Sequence, residues 1–179
     1  YRNMALTKIN NNTLSAVTGL PAAIATGKVL QMITTESSTE VSQTSSNTGT
    51  IYYNNNLSAN ITPSSSSNKI IAYGDFNVRA DQKDSNTDLG LALAFKSVVG
   101  GSTTVHQDAS HAYHSGLYID FGGTAFTNIR ERLVKTKIIQ AGTTSQMTWT
   151  MGAFFYSAGT IWMNDGNSKG RIILYEVEA

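Results

Sequence analysis

Asp88-Leu89-Gly90-Leu91-Ala92-Leu93-Ala94-Phe95-Lys96-Ser97 decides the fold class of this chain. Leu89, Leu91, Leu93 and Phe95 fall on one side of a period of two, and Gly90, Ala92, Ala94 and Lys96 fall on the other. Successive side chains of a strand point to opposite faces, so this spacing predicts a β-strand with one large apolar face. The small residues opposite would let another sheet or a subunit approach closely. Gly170-Arg171-Ile172-Ile173-Leu174-Tyr175-Glu176-Val177 repeats the pattern. Ile172 and Leu174, with Glu176 next in register, share one face; Ile173, Tyr175 and Val177 share the other. One face suits the core of the domain. The second is expected to meet something more, such as a neighbouring copy, which points to an oligomeric particle.

Further strands are predicted at residues 28–35, 56–62, 69–80, 113–121, 130–140, 147–156 and 159–164. Gly, Asn and Ser clusters punctuate them, while the only prolines are Pro21 and Pro63. Residues 63–68 read as a turn or loop, and Asn164-Asp165-Gly166-Asn167 as a tight turn in which Gly166 takes a positive φ. Roughly nine or ten short strands at this spacing predict an all-β fold, an antiparallel jelly-roll-like β-sandwich. Residues 1–25 differ. Leu6, Ile9, Leu14, Val17, Leu20 and Ile24 are spaced three to five apart with no sustained period. That stretch is read as an N-terminal arm that docks elsewhere, leaving residues 26–179 as the head domain.

The chain has 179 residues and a mass of 19.2 kDa, enough for one domain with a real core. Charged residues make up 14%, against an ordinary ~25%, and Ser, Thr, Asn and Gly supply the polarity instead. A net charge of +1 with scattered basic residues predicts no nucleic-acid partner and no anionic membrane surface. No apolar run approaches the ~18 residues of a membrane span, and no signal peptide is legible, so a soluble protein without membrane insertion is expected. Cysteine is absent, which removes disulfides, thiolate catalysis and cysteine metal sites.

Several phrases resemble a recurring kind of virion protein. They are Gly27-Lys28-Val29-Leu30-Gln31, Ile61-Thr62-Pro63-Ser64-Ser65-Ser66-Ser67-Asn68-Lys69-Ile70, Ala141-Gly142-Thr143-Thr144-Ser145 and Ile172-Ile173-Leu174-Tyr175-Glu176-Val177. The start, Met4-Ala5-Leu6-Thr7-Lys8-Ile9 followed by Val17-Thr18-Gly19-Leu20-Pro21-Ala22, is similar too. In this order they resemble short tail-fibre or head-fibre proteins of bacteriophages infecting aquatic bacteria. The resemblance implies a virion location and a β-sandwich homotrimer. It also implies attachment to other virion proteins through the N-terminal arm, and a head that meets host surface polysaccharide or decorates the capsid. The loops at residues 81–88 and 100–116 match none of these phrases, and variable loops are where receptor recognition resides.

His106-Gln107-Asp108-Ala109-Ser110-His111-Ala112-Tyr113-His114 holds all three histidines. Imidazole and phenol groups combine apolar bodies with hydrogen-bonding tips, so His106, Asp108, His111, Tyr113 and His114 are the candidate receptor-binding residues. The same spacing suits a metal site, or a ring of one histidine from each of three subunits, against the plainer reading of a polar loop leading into a strand. The plainer reading is preferred, and neither a metal nor a cofactor is expected. A triad of Ser110, His114 and Asp108 or Asp120 can be written, yet such proximity arises by chance and no Gly-x-Ser-x-Gly elbow accompanies it. The remaining aspartates are expected at turns, where they cap backbone groups. The chain is therefore read as non-enzymatic, with a glycan-degrading or deacetylating enzyme as the less favoured alternative. Trp149 and Trp162 are expected in the core or an interface rather than as a sugar platform.

Overall fold

The computed structural model describes residues 27–45, 50–82, 89–108, 116–119, 128–155 and 159–179. Eleven strands run through these residues: β1 (Val29–Ser37), β2 (Val41–Ser45), β3 (Tyr52–Ile61), β4 (Lys69–Gln82), β5 (Leu89–Val99), β6 (Ser102–His106), β7 (Leu117–Ile119), β8 (Ile129–Gln140), β9 (Met147–Phe155), β10 (Gly159–Met163) and β11 (Gly170–Val177). They form a six-stranded and a five-stranded sheet in which every pairing is antiparallel. The described residues thus form an all-β, jelly-roll-like sandwich, as the period-of-two stretches imply. The arm at residues 1–25 lies outside the described residues.

β4 organises the larger sheet. One of its sides pairs with β8, from Lys69 opposite Gln140 to Ala80 opposite Ile129. Its other side meets β11 as far as Asp75 and β10 from Val78 onward. β1 lies beyond β11, and β2 beyond β10. In the smaller sheet β5 runs between β9 and the short strands β6 and β7, with β3 outside β9.

The core lies between the sheets. Ile70, Ala72, Phe76, Val78 and Ala80 of β4 join Leu91, Leu93 and Phe95 of β5 and Trp149 and Met151 of β9 in one buried cluster. Phe95 meets Trp149 edge to face, with ring centroids 5.8 Å apart. Gly74 sits in the same inward row of β4. A Cβ there would lie 2.5 Å from Met151 Sδ and 2.9 Å from Phe95 Cζ, so the sheets close at this point because position 74 has no side chain. Ala92 and Ala94, on the opposite face of β5, are buried with Phe154 and packed by Ile51. That face is covered within one chain, which corrects the expectation that its small residues admit a subunit.

The corners use the residue types that turns demand. Gly100 and Gly101, with φ of 55° and 86°, make a two-residue hairpin between β5 and β6. Asn164, Gly166 and Asn167 all take positive φ in the turn between β10 and β11. Buried Asn164 donates its amide to the carbonyls of Ser37 (3.0 Å) and Thr39 (3.1 Å), and Asn54 also donates to Thr39 (3.1 Å). Asparagine side chains therefore satisfy the backbone where β1 bends into β2.

Glu176 is fully buried on the inner face of β11, and among the described residues no ion pair holds it. Its carboxylate accepts hydrogen bonds from Gln31 Nε2 (2.6 Å), the Ser64 backbone N–H (2.7 Å), Ser64 Oγ (2.8 Å) and Asn68 Nδ2 (2.6 Å). Burial pushes its pKa up, but the donors from Asn68, Gln31 and Ser64 outweigh this and hold it at about 2. The Ser-rich connection from β3 to β4 is thereby wrapped around an anion on β11.

Two outcomes follow. Gly74→Val forces Met151 and Phe95 apart and is expected to destabilise the fold by about 1–3 kcal/mol, read as a lower melting temperature. Glu176 has a folded pKa below its ordinary value of 4.5, so its contribution to stability is complete above that value. It declines as pH falls toward about 2 and is gone below. Chemical denaturation at a series of pH values should show this loss in the native protein. In Glu176→Gln the loss between pH 4.5 and 2 should be smaller, on top of a pH-independent cost of about 1–3 kcal/mol.

Candidate functional site

Of the candidate receptor residues, His106 and Asp108 are described, while His111, Tyr113 and His114 lie outside the described residues. His106 ends β6 and turns inward. Its ring stacks on Trp149 with centroids 4.7 Å apart and planes 15° from parallel. Its Nε2 shares a 2.8 Å hydrogen bond with Ser97 Oγ on the neighbouring strand. Burial first, and the positive charge of Lys137 second, lower its pKa, so the ring is neutral in the fold near pH 7. Asp108 lies just beyond, more than half exposed, and pairs with Lys135 Nζ and with Lys137 Nζ at 3.6 Å. Its pKa is lowered, chiefly by the hydrogen bond from Lys135. The two residues have a common effect. His106 fastens the end of β6 to the core, and Asp108 fastens the next turn to β8. Residues 106–108 are thus held by both sheets.

The second feature is the outer face of the larger sheet. Because β11 alternates, fixing Glu176 inside turns Ile173, Tyr175 and Val177 outward, as their spacing predicts. Register places Met32 of β1 beside Tyr175, Ile71 of β4 opposite Tyr175, and Ile138 of β8 opposite Ile71. Val134 and Ile138 are 57% and 58% exposed and Met32 is 59% exposed. A shallow depression of about 360 Å³ lies among Ile71, Tyr73, Thr136, Arg171, Ile173 and Tyr175. This end of the face is apolar and open.

The other end of the same face is polar. Asp75 is almost fully buried at mid-strand, between Arg132 and Arg171 (3.3 Å), rather than at a turn as expected. Asp165 bridges Arg79 (3.2 Å) and Arg130 (3.1 Å). The Arg79 guanidinium lies 3.6 Å over the ring of Trp162, so an internal cation occupies that ring face, while Trp149 is wholly core. Among the described residues, no group of three His, Asp or Glu side chains converges on a metal position.

The outward apolar residues of β4 and β8 were not legible as a surface. Ile71, Tyr73, Val134 and Ile138 become neighbours only through the pairing of β4 with β8, which no local spacing encodes. The lysines that hold Asp108 were hidden for the same reason.

No protein-family model matches the chain, and no curated protein does. Among solved structures, a mutant VP2 protein of infectious bursal disease virus in derived T=1 particles is similar with a TM-score of 0.37 and 13% identity, over 83% of this chain and 36% of that one. Infectious bursal disease virus of the Gt strain gives 0.40 and 12%, over 84% and 39%. The chain thus spans less than two-fifths of the length of these structures.

His106→Ala is expected to cost about 1–3 kcal/mol, because it opens space beside Trp149 and strips Ser97 Oγ of its partner. Asp108→Ala leaves the buried ammonium of Lys135 without its carboxylate and should lower the melting temperature by a comparable amount. Thermal denaturation of the two variants side by side checks this.

Proposed function

We propose that this chain is a non-enzymatic structural protein of a bacteriophage virion. Its tail-fibre-like trimeric head carries a host-binding loop, and its N-terminal arm joins other virion proteins. The observation that carries the reading is that residues 106–108 are held by both sheets. Binding loops serve recognition when a rigid scaffold holds their ends, and His106 and Asp108 fix one end here to the core and to β8. In this reading His106 and Asp108 position the loop, and His111, Tyr113 and His114 touch the receptor.

The sequence phrases support the same reading. The Ile61–Ile70 phrase supplies Ser64 and Asn68 to the cage around Glu176, so a segment shared in the resemblance carries a structural task in the fold. Among the described residues, three buried ionisable groups are engaged in structure: His106 with Ser97, Asp75 with two arginines, Glu176 with amides and hydroxyls. A host surface polysaccharide suits the loop, since imidazole and phenol groups hydrogen-bond hydroxyls and stack on sugar rings. Three heads per trimer raise weak single-site binding into useful avidity.

The test is adsorption. Labelled protein is incubated with a panel of aquatic bacteria and with their extracted surface polysaccharides. The triple variant His111→Ala, Tyr113→Ala, His114→Ala should lose binding at least tenfold with an unchanged melting temperature. Unaltered adsorption by that folded variant removes the loop as receptor site and leaves a capsid decoration or head-fibre role, in which the same head sits on the particle and binds no host.

A further inference from the structure

We infer that the outer face of the six-stranded sheet is the surface through which copies of this chain meet, so that three heads turn this face toward a common axis. The inference rests on the trimeric reading above and assigns it a surface.

The first argument is composition. Met32, Val134, Thr136, Ile138, Ile173 and Tyr175 form an uncharged field at one end of the face, with Met32, Val134 and Ile138 more than half exposed. Contiguous exposed apolar area on this scale marks an interaction site. The second is charge. The carboxylate nearest this field, Asp75, is neutralised by Arg132 and Arg171 of the same face. Arg171 also lines the depression, but it and Arg132 are paired to Asp75 within the chain with one positive charge in excess, so the face selects no strongly charged partner and meets its own copy with little repulsion.

The third is area. Four strand positions ~4.8 Å apart and fourteen residues of β4 at ~3.3 Å each give the whole face roughly 45 Å by 19 Å, on the order of 800 Å². Shared between the two neighbours that each chain has in a trimer, this is about 400 Å² per contact, roughly half of what a stand-alone two-chain interface takes from each partner, and the contacts add up over the closed assembly. The anatomy of the face fits as well, with an apolar part beside a border of arginines, aspartates and a tryptophan.

The fourth is the edge. β8 pairs with β4 alone among the described residues, yet Lys135 and Lys137 point inward from it toward Asp108. Inward-pointing charge on an edge strand discourages edge-to-edge extension of the sheet. Contact is left to the face.

The test uses the full chain. Light scattering of the wild type at micromolar concentration should give three times 19.2 kDa. The double variant Val134→Glu, Ile138→Glu places two charges at exposed positions and should fall to one chain mass with its β-sheet circular dichroism intact. A folded double variant that stays trimeric overturns the assignment of this face while the trimer stands. A monomeric wild type overturns the trimeric reading and this inference with it. Because the chain has no cysteine, Ile138→Cys offers a second readout that is independent of the double variant's folding. Maleimide labelling of the introduced thiol should be at least tenfold slower in the trimer than after urea unfolding. Equal rates overturn the inference, and so does protection that appears only in whole particles, which would give the face to another virion protein.

Discussion

A buried carboxylate without a counter-ion is the constraint around which this head is arranged. Removing an ionised group from water is costly unless hydrogen bonds replace its hydration. Glu176 meets that demand with four neutral donors drawn from β1 and from the connection between β3 and β4. No single element could provide them. The carboxylate is satisfied only when β11 lies beside β1 and the Ser-rich connection folds back over it, so a long-range arrangement of strands is written into one side chain. The low electrostatic reach of amides and hydroxyls suits a chain in which charged residues are 14% of the whole.

Register links this interior event to the exterior. A one-residue slip of β11 would bring Tyr175 or Val177 to the cage and send Ile172 and Leu174 into water. With Glu176 held, Ile173 and Tyr175 must face outward and join Ile71, Tyr73 and Ile138. The apolar outer face is therefore a consequence of the same alternation that builds the core. At the opposite side of the sandwich, Trp149 plays a comparable part. It packs on Phe95 within the core and on His106 at the end of β6, so core and strand end share one indole.

Much of this was legible in the sequence where local pattern and final environment agree. The Asp88–Ser97 stretch reads as a strand because Leu91, Leu93 and Phe95 do line the core. The positive φ at Gly166 follows from a residue that bears such geometry. β2 and β6 were missed for a physical reason. Val41-Ser42-Gln43-Thr44-Ser45 and Ser102-Thr103-Thr104-Val105-His106 carry almost no apolar signal, because each pairs at a margin and buries little. The site was less legible than the fold. His106 looks like its neighbours in a polar loop, and only the pairing of β6 with β5 brings it to Ser97. The Ser-Asn run after Pro63 reads as a turn, which it is, but its role as an anion cage depends on a residue more than a hundred positions away.

Glu176 is ionised inside the fold and held there by neutral donors. Carbon-13 NMR of the side-chain carboxyls, followed through acid titration of the folded protein, tests this most directly. The Glu176 resonance should stay in its carboxylate position as other glutamates titrate and move only near pH 2. A midpoint at the ordinary 4.5 would contradict it.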